Sequence, residues 1–335
     1  MKQRLVYLDC MRGIAMLMVV FCHVEAYSLG IQGKEIIASA ISIPMLSNFF
    51  FISGLFTPPS LLSCKQLKNR LLYLILPTMT MFLLYVGAYY GNYAKLIECI
   101  ENEYKWGYWF TFVLFLMNVI HCFVSIVYAK CRKQETNSKG TIILLPLVII
   151  AILLHILKLW DWNHNEAFYC RWMGLRLLAE HFPYYVLGIA CCMFRSKWHR
   201  LINNEWIMGA AVVFFVGLQI YSGGGFYKAL LIGLLGIFLL YGYCFAYQDT
   251  LSEQTFIGRH LSLIGRHTLS VYLIHYFFFL GLKMPWVGEQ LDPASQWWII
   301  AIITAIMTLV IAYSSLMVRK MLSISIPLYR VLLGK

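Results

Sequence analysis

Long apolar runs separated by short polar breaks limit this chain to very few folds. Ten such runs, each of about 17–22 residues, follow one another along the sequence. A helix needs about 20 residues to cross a hydrocarbon core of about 30 Å, whereas barrel strands show alternating segments of about 10. The sequence therefore predicts an all-α, polytopic transmembrane helical bundle. Its about ten spans are expected at 6–27, 36–57, 71–91, 107–128, 141–158, 179–195, 206–222, 227–247, 267–283 and 297–318.

Composition supports the membrane class. The chain is 61% hydrophobic and 13% charged, whereas soluble proteins are about half apolar and about a quarter charged. The polar breaks leave no room for a soluble domain, so we predict one integral membrane domain over residues 1–335. Nucleic-acid binding is disfavoured, because the net charge of +12 is spread over short loops.

Basic residues predict the orientation, since cytoplasmic loops of membrane proteins are enriched in Lys and Arg. With the N-terminus inside, the inner segments hold 18 of the 27 Lys and Arg residues, the outer segments hold 8, and Arg12 lies within the first span. Both termini are therefore expected in the cytoplasm. The polar residues Asp9 and Arg12 interrupt the position of a signal-peptide core, so we expect the N-terminal segment to be retained.

The ten cysteines contain no C-x-x-C pair and mostly lie in or beside apolar runs. Cysteine in such surroundings behaves as a small apolar residue. We therefore expect neither a structural disulfide nor a bound metal.

The first apolar run carries three residues that lipid disfavours, namely Asp9, Arg12 and His23. In a helix, Asp9 and Arg12 are i,i+3 neighbours and can pair. Arg12 and His23 are eleven positions apart, or close to three full turns, so both face the same way about 16 Å apart. Ionisable residues inside membranes usually face a cavity or the bundle interior. Two interpretations are open. These residues form a functional site, or they are only a helix-end ion pair and a hydrogen-bonded core histidine, and the sequence does not favour one over the other.

Other polar residues lie within or beside later runs, and each also has a purely structural interpretation as a packing or core group. Small and polar residues mark the second run, two titratable residues open the sixth, and a serine precedes a histidine in the ninth. A basic loop follows the second run and ends before Pro77. The candidates are Asn48, Ser53, Gly54, Arg70, Glu180, His181, Ser270 and His275.

Taken together and in this order, these motifs resemble the acyltransferase-3 family of integral membrane O-acyltransferases. The opening motif D-x-x-R-G, with a histidine eleven residues after the arginine, is matched by Asp9, Arg12, Gly13 and His23. The F-F-x-x-S-G signature, the arginine-then-proline segment and a C-terminal G-x-x-S-x-x-x-Y-L-x-H pattern follow. They are matched by Phe50, Phe51, Ser53, Gly54, Arg70, Pro77, Gly265, Ser270, Tyr272, Leu273 and His275, the last pattern less strictly.

The resemblance implies transfer of an acyl group, usually acetyl, from cytosolic acyl-CoA to a sugar hydroxyl. His23 is then the expected general base, because its ordinary pKa of about 6.5 suits proton removal near neutral pH. It activates the sugar directly or first carries the acetyl group itself. Asp9 would hold Arg12 against a CoA phosphate, and Arg70 is a second candidate for phosphate binding. The remaining candidates, Asn48, Ser53, Gly54, Glu180, His181, Ser270 and His275, would position the thioester or the acceptor.

The implied partners are acetyl-CoA as donor and a carbohydrate or lipid-linked glycan as acceptor, together with membrane lipids. Many family members carry an additional soluble hydrolase-like domain that this sequence lacks, so it resembles the stand-alone membrane branch. The expected location is a bacterial inner membrane.

Two other classes of protein explain the buried charges differently. A secondary transporter or flippase of a glycan or lipid intermediate would use them as substrate or proton-relay residues, although no inverted repeat is visible. A sensor or scaffold would have no function for the buried charged residues. A transporter predicts movement of substrate without consumption of acetyl-CoA, which separates it from an enzyme.

Overall fold

The computed structural model describes residues 5–31, 36–57, 62–131, 139–159, 168–223 and 225–334. These residues form helices and turns without a β-strand, which confirms the all-α prediction. The α-helices are α1 (Val6–His23), α2 (Ile36–Leu55), α3 (Cys64–Arg70), α4 (Leu76–Tyr90), α5 (Leu96–Glu101), α6 (Trp109–Cys131), α7 (Lys139–Leu159), α8 (Phe168–Met173), α9 (Leu175–Met193), α10 (Arg195–Ile202), α11 (Glu205–Ile220), α12 (Gly225–Ala246), α13 (Phe256–Arg266), α14 (Thr268–Gly281), α15 (Pro285–Gln290), α16 (Trp297–Leu322) and α17 (Ile326–Leu333).

Within the described ranges, six helical stretches are long and apolar enough to cross a membrane. They are Val6–Leu29, Ile36–Leu55, Cys64–Tyr90, Trp109–Lys130, Tyr227–Ala246 and Trp297–Leu322. The pair Arg171–Met193 and Arg195–Ile202, bent by 100°, would add a seventh. Three shorter apolar helices, Ile143–Leu157, Glu205–Ile220 and Thr268–Gly281, overlap other predicted spans. The protein is thus a multi-pass helical membrane protein, while the count of ten and the cytoplasmic termini stay predictions.

The chain forms two compact units. The first unit comprises Met1–Phe49 and Lys197–Ile324, and the second comprises Phe50–Ser196 and Ser325–Lys335. Each is described by itself below. The prediction of one domain over residues 1–335 stays a prediction.

In the first unit, α1 packs against α12, α13, α14 and α16. Its contact with α13 is close because glycines lie at the crossing. A Cβ on Gly13 would collide with the carbonyl oxygen of Leu261, and a Cβ on Gly265 would collide with the carbonyl oxygen of Asp9. Only glycine lets two backbones approach this closely. The glycine of the opening motif therefore has a packing explanation.

Prolines inside two helices leave backbone carbonyls that polar side chains then satisfy. Proline has no N–H, so the carbonyl four residues earlier loses its helical partner. In the first unit, Pro44 leaves the carbonyl of Ala40 without a helical partner, and this carbonyl accepts a 2.9 Å hydrogen bond from the Gln219 amide. In the second unit, Pro183 does the same to the carbonyl of Ala179, which lies 3.5 Å from Nδ1 of His155.

In the second unit, α9 packs against α6 and α7, and α17 packs against α4. The last turn of α2 also meets α9 closely. A Cβ on Gly54 would collide with the carbonyl oxygen of Tyr185, and one on Gly188 would collide with that of Phe51. Gly54, predicted as a substrate-positioning residue, is therefore explained by helix packing here.

A buried lysine precedes α6 in the second unit. Lys105 is 5% exposed and, like Trp106, has a positive φ. Its Nζ makes no hydrogen bond to any residue that the structure describes, and it lies 5.4 Å from the centre of the Phe112 ring. Burial lowers the pKa of Lys105 to about 8, and the nearby Glu103 carboxylate partly opposes this effect. The charged ammonium is therefore destabilising in the folded protein.

We expect Lys105→Met to raise the thermal stability of the detergent-solubilised protein at pH 7. An unsatisfied buried polar group costs about 1–3 kcal/mol, and methionine has a similar length without the charge. Because the folded pKa lies below the ordinary 10.5, the gain is full below about pH 8 and disappears as the pH approaches 10.5. The control is Lys95→Met, since Lys95 is exposed. Equal melting temperatures for wild type and Lys105→Met at pH 7 would contradict this assignment.

Candidate functional site

His23 is the last residue of α1, and a π-helical turn, Val24–Leu29, follows it directly. Such turns are often found at functional sites. The turn ends at Gly30, whose φ of 70° is the left-handed conformation that glycine adopts readily. His23 is half-buried.

The predicted pairing at the start of α1 is confirmed. Nη1 of Arg12 lies 3.7 Å from Oδ1 of Asp9. Asp9 is buried, whereas the Arg12 side chain is 29% exposed. Since α1 is helical from Val6 to His23, Arg12 and His23 lie on the same face, about 16 Å apart along the axis. The guanidinium is thus braced from one side and accessible from another.

His275 on α14 meets His23. Nε2 of His275 lies 2.9 Å from Nδ1 of His23, although the two residues are 252 positions apart in sequence. The His275 ring is fully buried, and its Nδ1 lies 2.7 Å from the carbonyl oxygen of Tyr272 and 3.1 Å from that of Val271. Two residues predicted separately thus form one hydrogen-bonded pair.

Aromatic side chains surround the His23 ring. Ring centres of Tyr27, Tyr276 and Phe279 lie 5.5, 5.1 and 6.5 Å from that of His23. The Tyr276 hydroxyl is 3.4 Å from Nε2 of His23, and Tyr27 is 48% exposed. These three residues were not predicted from the sequence, although Tyr276 directly follows His275 and Tyr27 lies four positions after His23. Helical spacing was the available signal.

Ser270 is buried on α14 but does not join this pair. It precedes His275 by five residues, so the two side chains point about 140° apart around the helix. Its predicted role in substrate positioning therefore has no support from the His23 geometry.

Arg70 lies in the second unit at the end of α3, which a capping box of Ser63 and Gln66 begins. The half-buried guanidinium donates to Oγ1 of Thr57 at 3.4 Å. The Tyr185 hydroxyl lies 3.3 Å from the same Thr57 oxygen. These contacts orient Arg70.

The Tyr185 hydroxyl extends this network. It lies 3.2 Å from Oδ1 of Asn118 and 3.2 Å from Nδ1 of His121. All three residues are buried. Asn118 and His121 were not among the predicted site residues. Their position as polar residues within an apolar run could have identified them.

Three other candidate residues of the second unit are His181, Glu180 and Ser53. The His181 ring packs against Phe50 and Trp109, at centre distances of 4.8 and 5.4 Å. Glu180 and Ser53 are half-buried. This environment agrees with the interpretation of His181 as a core residue, and no substrate role is visible in it.

Asn48 belongs to the first unit and is fully buried on α2. Its amide nitrogen donates to the carbonyl oxygen of Pro44 at 2.7 Å. Its Oδ1 accepts no hydrogen bond from any residue that the structure describes. Asn48 thus retains an unused acceptor.

An apolar cavity of about 290 Å³ lies on another face of α1. Phe21 on its wall and His23 are two residues apart, so their side chains point in nearly opposite directions. The cavity is therefore separate from the histidine pair. Its walls are Ile14, Leu17, Met18, Phe21, Ile41, Ala305, Thr308 and Leu309.

Metal-ligand clusters do not occur among the described residues, since nowhere in them do three His, Cys, Asp or Glu side chains gather as a metal would require. The absence of a metal from the chemistry stays a prediction.

A family model of an acyltransferase domain, that of the acyltransferase-3 family, matches residues 5–317 of the 335. The chain belongs to the acyltransferase-3 family. This acyltransferase-3 protein is therefore a membrane-embedded acyltransferase, and the match includes both His23 and His275. Neither a curated protein nor a solved structure matches the chain.

Proposed function

We propose that this acyltransferase-3 protein is an O-acetyltransferase of a bacterial inner membrane. It moves an acetyl group from cytosolic acetyl-CoA to a hydroxyl of a cell-surface sugar, polysaccharide or lipid-linked glycan. The observation that carries the proposal is the half-buried His23, whose imidazole is hydrogen-bonded at 2.9 Å to that of the fully buried His275. An imidazole held in one orientation is what general-base activation of a hydroxyl requires.

Acetyl transfer requires only the His23 imidazole, the acceptor hydroxyl and the thioester of acetyl-CoA. His23 removes the proton as the acceptor oxygen attacks the thioester carbonyl, so a C–O bond forms and the C–S bond breaks. The proton held on His23 then passes to the departing thiolate of CoA. The products are an acetyl ester and free CoA. In the other version, the imidazole itself attacks the thioester carbonyl, so a C–N bond forms, the C–S bond breaks and CoA leaves as a thiolate. The acceptor oxygen then attacks the acetyl-imidazole, a C–O bond replaces the C–N bond, and the acceptor proton passes to the released imidazole.

Arg12 supports a donor role at the start of α1. Guanidinium groups bind phosphate through paired hydrogen bonds, and Asp9 holds this one in place at 3.7 Å. With CoA phosphates at Arg12, the extended pantetheine arm would carry the thioester along the helix face toward His23. Arg70, oriented by Thr57, stays the second candidate for the phosphate role.

The rings around His23 support a sugar acceptor. Sugars present apolar C–H faces beside hydroxyl groups, and exposed aromatic rings such as that of Tyr27 can cover such a face while His23 meets a hydroxyl. The predicted roles in acceptor or thioester positioning stay predictions for Asn48, Ser53, Gly54, Glu180, His181, Ser270 and His275.

The proposed topology has ten spans and both termini in the cytoplasm. It rests on the distribution of Lys and Arg and on the apolar helices at 143–157, 205–220 and 268–281, which would join the six long stretches and the bent pair. In this topology, Arg12 is close to the cytoplasm, where acetyl-CoA is made available, and His23 lies deeper.

The function is tested with purified protein in detergent, acetyl-CoA labelled in the acetyl group, and defined glycan fractions. We expect label in an alkali-labile ester on a glycan, with one free CoA released per ester. Transport of a glycan across proteoliposomes without release of CoA would instead support a transporter and overturn the proposal.

For the donor site, we expect Arg12→Ala to raise the KM for acetyl-CoA by about 10-fold or more, because hydrogen bonds to charged groups contribute about 1.5–3 kcal/mol. The matched control is Arg259→Ala, which removes an exposed arginine in the same unit. Steady-state kinetics with acetyl-CoA and with its dephospho analogue separate the 3′-phosphate from the diphosphate. An unchanged KM in Arg12→Ala would remove Arg12 from the donor site.

A further inference from the structure

The position of the proton on His275 follows from its two backbone contacts. Nδ1 of His275 lies 2.7 Å from the carbonyl oxygen of Tyr272 and 3.1 Å from that of Val271. A carbonyl oxygen can only accept a hydrogen bond, so Nδ1 must carry the hydrogen. A neutral imidazole has one N–H, which leaves Nε2 of His275 as an acceptor.

This assignment determines the proton position on His23. Since Nε2 of His275 accepts, Nδ1 of His23 at 2.9 Å must be the donor. The two ring planes are within 5° of parallel, and the nitrogens are much closer than the ring centres at 5.2 Å. The rings therefore meet edge to edge, as a hydrogen bond in the ring plane requires.

The remaining nitrogen of His23 is then the basic one. Nε2 of His23 has no hydrogen in this tautomer and keeps its lone pair. The Tyr276 hydroxyl lies 3.4 Å from Nε2, and because a hydroxyl can donate as well as accept, this contact is compatible with the tautomer. His23 is half-buried and His275 is fully buried, so His23 is the member of the pair that a substrate would meet.

We propose that His275 is a positioning residue that holds His23 in the Nδ1–H tautomer and thereby directs its basic Nε2 toward the acceptor hydroxyl. This rests on the proposed function. When Nε2 takes the acceptor proton, His23 becomes an imidazolium. Its Nδ1–H then donates a charge-assisted bond to the neutral His275, which stabilises the positive charge. The carboxylate of a Ser–His–Asp triad orients its histidine in a similar way.

Two variants of similar size separate this role from a structural one. In His275→Asn, the side-chain amide can still donate toward the Tyr272 carbonyl, but nothing reaches the position of Nε2. In His275→Gln, an amide oxygen can occupy the position of Nε2 and accept from His23. Thermal unfolding in detergent establishes that both variants are folded before they are compared.

The direct measurement is the tautomer of His23, read from the ¹⁵N chemical shifts of histidine-labelled protein at a pH where its histidines are neutral. The His23 signals are assigned by their loss in His23→Gln. We expect Nδ1–H with a bare Nε2 in wild type and in His275→Gln, and a mixture of tautomers in His275→Asn. Replacing His260, which bonds Tyr313 in the same unit, with Asn should leave these signals unchanged.

Kinetics complete the test. We expect kcat to fall by about 10²-fold in His275→Asn, with the KM for acetyl-CoA nearly unchanged, and partial recovery in His275→Gln. A folded His275→Asn variant with an unchanged His23 tautomer would overturn the proposal, as would an unchanged kcat. Because the tautomer is measured without substrate, a failure of the proposed O-acetyl transfer in wild type would be distinguishable from a failure of the positioning role.

Discussion

Replacing His23 with alanine is expected to lower the rate of acyl transfer by about 10²–10⁴-fold, the usual contribution of a positioned general base. The change removes the less buried imidazole of the pair and leaves Nε2 of His275 without its His23 partner. Labelled acetyl-CoA and a glycan acceptor give the rate, and free CoA gives an independent measure of turnover. Transfer at the wild-type rate in the folded variant would refute the catalytic assignment of His23.

The matched control for this substitution is His260→Ala. His260 also lies in the first unit and also hydrogen-bonds a tyrosine, Tyr313 at 2.6 Å, but no residue of the candidate site touches it in the described contacts. Its activity should equal that of wild type. If both histidine variants lose activity equally, the loss in His23→Ala reflects damage to the fold.

A labelling experiment with the wild-type protein distinguishes direct attack by the acceptor from transfer through an acetylated His23. Wild type is mixed with labelled acetyl-CoA in the absence of acceptor, and the protein is then isolated under denaturing conditions. Label on His23, absent from His23→Ala, would establish an acetyl-imidazole intermediate. Protein without label that nevertheless transfers acetyl when acceptor is added would favour direct attack by the acceptor.

The second large effect is expected at the crossing of α1 and α13. Gly265→Ala places a Cβ against the carbonyl oxygen of Asp9 and 3.1 Å from the nitrogen of Gly13. Overpacking costs about 1–3 kcal/mol where side chains can shift, and backbone atoms shift less readily. We expect at least this loss of stability and a much lower yield of folded protein, measured by thermal unfolding and size-exclusion chromatography.

Gly217→Ala is the control for this substitution. Gly217 lies within α11 of the first unit, and a Cβ there would meet nothing within 4 Å. Removing glycine from a helix interior stabilises by about 0.5–1 kcal/mol when there is space. We therefore expect wild-type stability or better. A Gly265→Ala variant as stable as Gly217→Ala would show that the two backbones separate at little cost.

Local features were predictable because helix geometry determines them. Asp9 and Arg12 are one turn apart, so their pairing followed from their spacing, and the shared face of Arg12 and His23 followed from eleven helical steps. The apolar helices followed from the length of the apolar runs. None of these predictions needs information about another part of the chain.

The partners of these residues were not predictable from spacing. The contact of His275 with His23 exists only because α14 packs against α1. The close approach of α2 and α9 at Gly54 likewise depends on their being neighbours, and the substrate-positioning roles of both residues stay predictions. The contacts of Arg70 with Thr57 and of Thr57 with Tyr185 likewise depend on which helices are neighbours.

By itself, the sequence determined the all-α membrane class, the paired arginine and the family, because hydropathy, helical period and motif order are properties of the linear chain. Tertiary structure alone decided the hydrogen-bond partner of His23. Its Nδ1 lies 2.9 Å from Nε2 of His275, whose own Nδ1 lies 2.7 Å from a backbone carbonyl of α14, and the proposed tautomer rests on these contacts. A proton position depends on distances of about 3 Å between helices, and no sequence pattern specifies these.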